Sequence, residues 1–265
     1  MPSFSVILPV YFNDSLSFFR QAVESLTSQS VLPDEIIIVV DGKIKKDLHE
    51  YLDKLKMSQR FNIFFLDKNC GPGLSRDFGI NKSKNEIIAL MDSDDISINN
   101  RFELQLKTIL KQDCDAVGGL IEEFNDNIGD ALSIRYVPEQ HKDIFSFGKW
   151  RMPVNNVTLM FKKKAYILSG GYKNQPSNED WSLVARMLVS GSKFYNLQKK
   201  LVFVRAGKRI IKKRTELRST FWSIKDFFMM YRIGYMSLII MIINIIIRLT
   251  FSLLPTTLVG YFYKI

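Results

Sequence analysis

Cysteine and histidine are scarce, with two of each among 265 residues. Cys70 and Cys114 lack metal-ligand spacing and are too few for a disulfide framework, so two reduced thiols in a cytosolic protein are expected. His141, in "PEQHKDIF", has no paired acid at metal spacing, and His49 lies in a polar helical segment. Both read as surface residues. The N-terminal "MPSFSVILPVYF" has no basic leader and too short an apolar run for a signal peptide, so it reads as a first strand. No internal repeat and no low-complexity linker interrupts the chain. Nor is there a long apolar run. Residues 233–247 give only 15, with Asn244 inside and Arg248 next, where a spanning helix needs about 20. Continuing to Leu254 puts a charge in the span. Helices lying in a membrane interface are the expectation for this tail, with packing on the body as a C-terminal core helix as the other reading.

What the chain does have is apolar residues, 46% of the total, and an uneven charge. Residues 1–198 hold 24 basic and 25 acidic side chains, whereas residues 199–232 hold 11 basic and 2 acidic ones. A near-neutral body is therefore followed by a basic collar and an apolar tail. That order suits an anionic membrane surface. Nucleic acid is not expected, because residues 205–218 carry no interleaved aromatics.

Strand and helix alternate through the first half. Residues 4–10, 34–42, 61–67 and 86–92 read as strands, and 15–29, 47–57, 73–83 and 101–112 as helices. Strands this continuously apolar are covered on both faces, as in a parallel sheet. Ligands of such sheets bind beyond the carboxyl ends of the strands, where Asp41, Asp67 and Asp92 fall. The second half is less regular. Strands are expected at 116–124, 132–138, 157–163 and 200–207, and a helix at 178–191 with acids in its first turn.

The stretch "EIIALMDSDD" (86–95) ends an apolar strand on three crowded carboxylates. Like charges at that spacing repel, unless something positive sits among them. Aspartates bind hard divalent cations through oxygen, and a cation held by one or two of them keeps positions open for phosphate. The pattern then extends in order. "SVILPVYFN", "PDEIIIVVDG", "NCGPGLSRDFGI", "ALMDSDD" and, later, "NEDWSLVARML" resemble family 2 glycosyltransferases of the GT-A fold.

That resemblance implies an α/β fold, a Rossmann-like, mostly parallel sheet flanked by helices. It implies a nucleotide-sugar half at 1–112, an acceptor half at 113–207 and a membrane-associating region at 208–265. It implies that Pro9, Tyr11 and Asn13 line the nucleotide pocket and that Asp41 bonds the uracil ring. Val40 and Lys43 depart from the usual neighbours of that aspartate. Asn69, Gly71 and Arg76 match the segment approaching the diphosphate, Asp92 the ribose contact, and Asp94 the ligand of Mg²⁺ or Mn²⁺. Asp95 is a second metal contact or a helix cap, and Asp180 or Glu179 is the base of an inverting transfer. Trp181 either stacks on a sugar or belongs to the core. The "VNNVTLMF" segment offers Asn155 and Asn156 near the donor sugar, or merely a turn. The run 207–215 either touches diphosphates or faces solvent or membrane.

The implied reaction moves a hexose or N-acetylhexosamine from a nucleotide sugar, UDP-linked by expectation, to a polyprenyl-diphosphate-linked glycan. The implied setting is the cytoplasmic face of the bacterial inner membrane, in O-antigen, capsule or exopolysaccharide assembly. Two rivals remain. A sugar nucleotidyltransferase starts from a Gly-rich loop with Arg and Lys, which "PVYFNDS" lacks. The other is a membrane-bound nucleotide- or glycan-binding module without turnover.

Overall fold

Alternate residues of the first strand enter two different cores. In β1 (Phe4–Val10), Val6, Leu8 and Val10 face one side and Ile7 the other, all fully buried, as the two-residue period of a strand requires. A computed structural model describes residues 1–125, 128–205 and 217–253 of the chain. In it β1 lies beside β2 (Glu35–Asp41) and β4 (Ile87–Leu90), and β3 (Phe61–Leu66) flanks β2, all parallel. Helices α1 (Leu16–Thr27), α2 (Lys46–Leu55) and α4 (Arg101–Gln112) cover the first face. Helices α3 (Pro72–Lys82) and α7 (Glu179–Val189) contribute to the second. Gly79 lets α3 come close, since a Cβ there would stand 2.8 Å from Ile7 Cγ2.

The sheet runs β3-β2-β1-β4-β8-β6-β9-β5. Its later part is mixed rather than mostly parallel. Strand β8 (Met160–Lys162) is antiparallel to β4 and to β6 (Ala116–Phe124), while β9 (Phe194–Arg205) runs parallel to β6. Two short strands, β5 (Ile96–Ser97) and β7 (Ala131–Arg135), complete it. The strand expected at 157–163 breaks into a 3₁₀ turn, Asn156–Thr158, then β8, then helix α6 (Lys163–Leu168). The turn forms because Thr158 donates its hydroxyl to the Asn155 carbonyl at 2.6 Å and accepts the Gly119 N–H. The 200–207 strand starts earlier, at Phe194, carried by its pairing with β6. Helix α5 (His141–Phe147) was not foreseen; His141 Nδ1 accepts the Phe194 N–H at 3.2 Å and ties α5 to β9.

Two C-terminal helices follow, α8 (Leu217–Arg232) and α9 (Leu238–Leu253). Phe227, Met230, Tyr235, Met236 and Met241 join the second core, and Asn244 Nδ2 donates to the Lys149 carbonyl at 3.0 Å. These helices share the body's core, and the boundary expected at 207/208 falls outside the described residues. No helix of the described residues is long and apolar enough to cross a membrane. The outer side of α9 nevertheless exposes Ile239 at 71% and Ile246 at 58%. The basic run at 207–215 and the tail beyond Leu253 lie outside the described residues.

Candidate active site

Strands β1, β2 and β4 end at one rim of the sheet, and the loops there build the site upward from Asp41. Both oxygens of the Asp41 carboxylate accept backbone N–H groups, Cys70 at 2.7 Å and Gly71 at 2.9 Å, and Asn69 Nδ2 donates to the Asp41 carbonyl at 3.3 Å. Gly42, at φ +81°, makes this possible, since a Cβ there would stand 2.7 Å from the Asn69 nitrogen. The loop so anchored opens α3 at Pro72. One turn on, α3 presents Arg76.

Arg76 is buried and holds two acids at once. One guanidinium nitrogen donates to Asp92 at 2.6 Å and the other to Glu179 at 3.3 Å. Burial works against its charge, but Asp92, Tyr172 and Glu179 outweigh that and hold the group firmly protonated. Gly73 lets the start of α7 come this close, because a Cβ there would meet Glu179 Cγ at 3.0 Å. The resemblance placed Arg76 on the diphosphate. In this structure its two terminal nitrogens join Asp92, after β4, to Glu179, which opens α7.

The "DSDD" turn has further partners. Asp94 is the exposed member, and its carboxyl is pushed up by desolvation and by the Asp92 charge. Asp95 is buried and accepts the Arg205 N–H at 3.0 Å, so it caps no helix; α4 begins at Arg101 after Asn100. Burial, Asp92 and Asp94 raise Asp95 well above the carboxylate range. Arg205, the last residue of β9, also donates Nε to the Asp94 carbonyl at 2.9 Å and stacks over Phe18 at 4.0 Å. Arg101 lies fully buried below, donating to the Leu90 carbonyl at 2.8 Å. Burial lowers it to about 9, opposed by Asp92 and Asp95. A fourth acid, Asp14, accepts the Tyr11 N–H at 2.9 Å and the Ser93 hydroxyl at 2.7 Å. Burial raises it to about 6, with Asp94 and Asp92 adding to the rise.

Helix α7 starts from Asn178, which takes left-handed backbone at φ 56°. Glu179 is raised by burial and by Asp180, and lowered by Arg76. Asp180 is half-exposed and accepts the Trp181 N–H at 2.8 Å. Trp181 belongs to the core side of its two readings: its indole donates to the Gly148 carbonyl at 2.8 Å and its ring meets Phe227 edge-on.

The structure thus brings together Arg76, Asp92, Asp94, Asp95, Glu179 and Asp180. Asp41, Asn69 and Gly71 form the adjoining loop, and Pro9, Tyr11 and Asn13 lie at the end of β1, with Tyr11 and Asn13 exposed. Asn155 is buried, donating to the Gly119 carbonyl at 2.9 Å, and supports the fold. Sequence reading passed over Asp14, Arg101 and Arg205. Asp14 stood beside Asn13 in a loop read for its neighbours, and Arg205 was counted only as part of the basic collar. Among the described residues no three His, Cys, Asp or Glu side chains form a ready metal cage. The donor set still fits a hard cation held by one or two carboxylates. Asp94 is exposed, its charge only partly offset by Arg205, and only one Asp92 oxygen is engaged by Arg76.

A mixed α/β sheet with acids gathered at this rim defines a class, and the chain belongs to it: glycosyltransferase family 2. The family's model, Glycosyl transferase family 2, matches residues 5–168. The chain is 36% identical over 264 residues to UDP-Gal:alpha-D-GlcNAc-diphosphoundecaprenol beta-1,3-galactosyltransferase of Escherichia coli, covering 99% of this chain and 96% of that protein. It is 30% identical over 213 residues to the amylovoran biosynthesis glycosyltransferase AmsE of Erwinia amylovora, covering 80% and 79%. The crystal structure of S. aureus TarS 1-349 in complex with UDP-GlcNAc matches with a TM-score of 0.67 at 16% identity, over 87% of this chain and 66% of that one. In a longer TarS structure the chain spans 38% of the length. These structures share the GT-A type of fold.

Asp14 yields a pH prediction. Its carboxyl rises from 3.8 to about 6 on folding, so between those values the folded state binds the extra proton. Its contribution is therefore full below pH 4 and is lost as pH rises to 6, by about 3 kcal/mol. In urea unfolding with chelator present, Asp14→Asn should gain stability relative to wild type across that window. Parallel pH curves for the two proteins would contradict the assignment.

Proposed function

We propose that this family 2 glycosyltransferase is an inverting, metal-dependent enzyme that moves a sugar from a UDP-sugar to a polyprenyl-diphosphate-linked glycan. The observation that carries this reading is the Arg76 bridge, which fixes the acids after β4 beside those opening α7. Further support for the donor and acceptor classes comes from the activity that names the E. coli relative, and for a role in surface polysaccharide assembly from AmsE. UDP-galactose and UDP-N-acetylglucosamine are the first donors to test.

In this scheme Asp180 removes the acceptor hydroxyl proton. The freed oxygen attacks the anomeric carbon from the face opposite the diphosphate, and the bond to the diphosphate oxygen breaks, releasing UDP. Asp180 suits the role because it is partly open to solvent and, among the described residues, accepts a hydrogen bond from the Trp181 N–H and leaves its other oxygen free. Glu179 is the weaker candidate for base, since Arg76 engages it. The Asp41-anchored loop and the Tyr11–Asn13 loop enclose the nucleotide. Asp94 and Asp92 would hold Mg²⁺ or Mn²⁺; when bound, the ion supplies positive charge against the departing diphosphate. Asp95, bonded to the Arg205 N–H, supports the turn more than it reaches outward.

The C-terminal region is the proposed contact with the membrane, on the cytoplasmic face of a bacterial inner membrane. Exposed isoleucines of α9 and a groove of about 630 Å³ lined by Lys225, Phe228 and Arg232 support it. This combination of apolar and basic surface suits anionic lipid.

Product analysis by mass spectrometry, with a donor panel and a lipid-linked acceptor, tests the reaction. Sugar transfer is expected. Asp180→Asn should lower kcat by about 10²–10⁴-fold, and chelator or Asp94→Ala should abolish turnover. Transfer that survives chelation and both substitutions would overturn the scheme. For the membrane contact, Ile239→Glu with Ile246→Glu should weaken co-sedimentation with anionic liposomes. Unchanged partitioning would count against it.

A further inference from the structure

Residues 199–232 contain only two acids, Glu216 and Asp226, and Asp226 is buried on α8 against the loop that precedes α7. Gln175 Nε2 donates to one Asp226 oxygen at 3.3 Å and to the Ser177 carbonyl at 3.0 Å. Ser223, one turn earlier on the same face of α8, accepts from Asn178 Nδ2 at 3.0 Å. Two residues of α8 therefore grip the loop at Gln175 and Asn178. Asn178 is the corner itself. Its backbone is left-handed at φ 56°, a conformation that asparagine adopts more readily than most residues other than glycine. Glu179 and Asp180 follow immediately.

The other Asp226 oxygen is buried with no hydrogen-bond partner. Burial raises this carboxyl to about 7, the Asn178 and Gln175 amides partly offset the rise, and Asp180 and Glu179 add to it. The charged groups facing it from α7 are Asp180, Glu179 and Arg186. A carboxyl buried beside two other acids, with Arg186 opposing them, is an unfavourable arrangement that packing alone does not call for.

We propose that Asp226, together with Ser223, is a positioning residue for the Asp180 carboxylate: α8 clamps the Asn178 corner and so sets where the candidate base stands. The inference rests on the reading of Asp180 as base. It gives the C-terminal region a task inside the site, beyond contact with lipid. Whatever fixes α8 also fixes the corner from which Asp180 projects.

The test uses the full-length protein with the UDP-sugar that wild type transfers. Asp226→Ala should lower kcat about 10- to 100-fold, the range of a small misplacement of a reacting group. KM for the UDP-sugar should stay within about two-fold, because the donor loops lie on other elements. Amide hydrogen exchange should speed up at residues 175–182 and stay unchanged at 69–76. Asp226→Asn keeps an acceptor for Gln175 and should restore both kcat and protection. In an Asp180→Asn background, adding Asp226→Ala should change kcat less than about two-fold, since effects through one group do not add. The proposal is overturned if Asp226→Ala keeps wild-type kcat, if Asp226→Asn is no better than alanine, or if the losses multiply in the Asp180→Asn background. Should Asp226→Ala fail to fold, Gln175→Ala breaks the same contact from the loop side and is held to the same criteria. If wild type transfers no sugar, the proposed function fails, while the exchange measurement still decides whether α8 clamps the corner.

Discussion

One guanidinium with two carboxylates organises this protein. Arg76 lies between Asp92, which ends the run from β4, and Glu179, which opens α7. Those two acids come from opposite halves of the chain. Truncating one partner of such a buried set strands the others, at about 3–5 kcal/mol; the partial exposure of Asp92 puts this site toward the lower end. The arrangement is possible only because small residues clear the way. Gly79 seats α3 on the sheet and Gly73 admits the Glu179 side chain.

The crowding of acids after β4 is answered in the same terms. Three arginines surround them, each by a different route: Arg76 through its guanidinium, Arg205 through its backbone N–H and Nε, and Arg101 from beneath. Arg205 offsets Asp94 only in part, and burial and the Asp92 charge still leave that exposed carboxyl raised. The rim thus keeps one incompletely compensated acid where a cation with a phosphate partner would fit. The turn around it is already fixed by protein contacts.

Much of this was legible in the sequence because it is local. The strands and helices of the first half follow from runs such as "DEIIIVVDG" and from helical spacing in "SLSFFRQAVESLTSQ", where burial on both faces leaves little choice. Asp92 and Asp94 were legible because they end such a run. What was not legible depends on distant pairing. One of the two partners of Arg76, Glu179, is 103 residues away, so its guanidinium read as a free fork for phosphate. Thr158 and Asn155 look like strand and turn residues, yet their bonds to each other and to Gly119 turn the start of the expected strand into a 3₁₀ turn. Asp226 is one of two acids in a basic stretch, and only the packing of α8 on the Asn178 corner gives it a role. The tail read as apolar and interfacial, while its inner face proves to be part of the second core.

Arg76 braces Asp92 against Glu179, and we propose that it keeps that place when nucleotide is bound and leaves the diphosphate to other residues. A crystal structure of the protein with UDP and Mn²⁺ tests this most directly. The account predicts that both Arg76 terminal nitrogens stay within hydrogen-bond distance of Asp92 and Glu179 when the nucleotide is bound. A guanidinium that has left either acid to contact the diphosphate would contradict it.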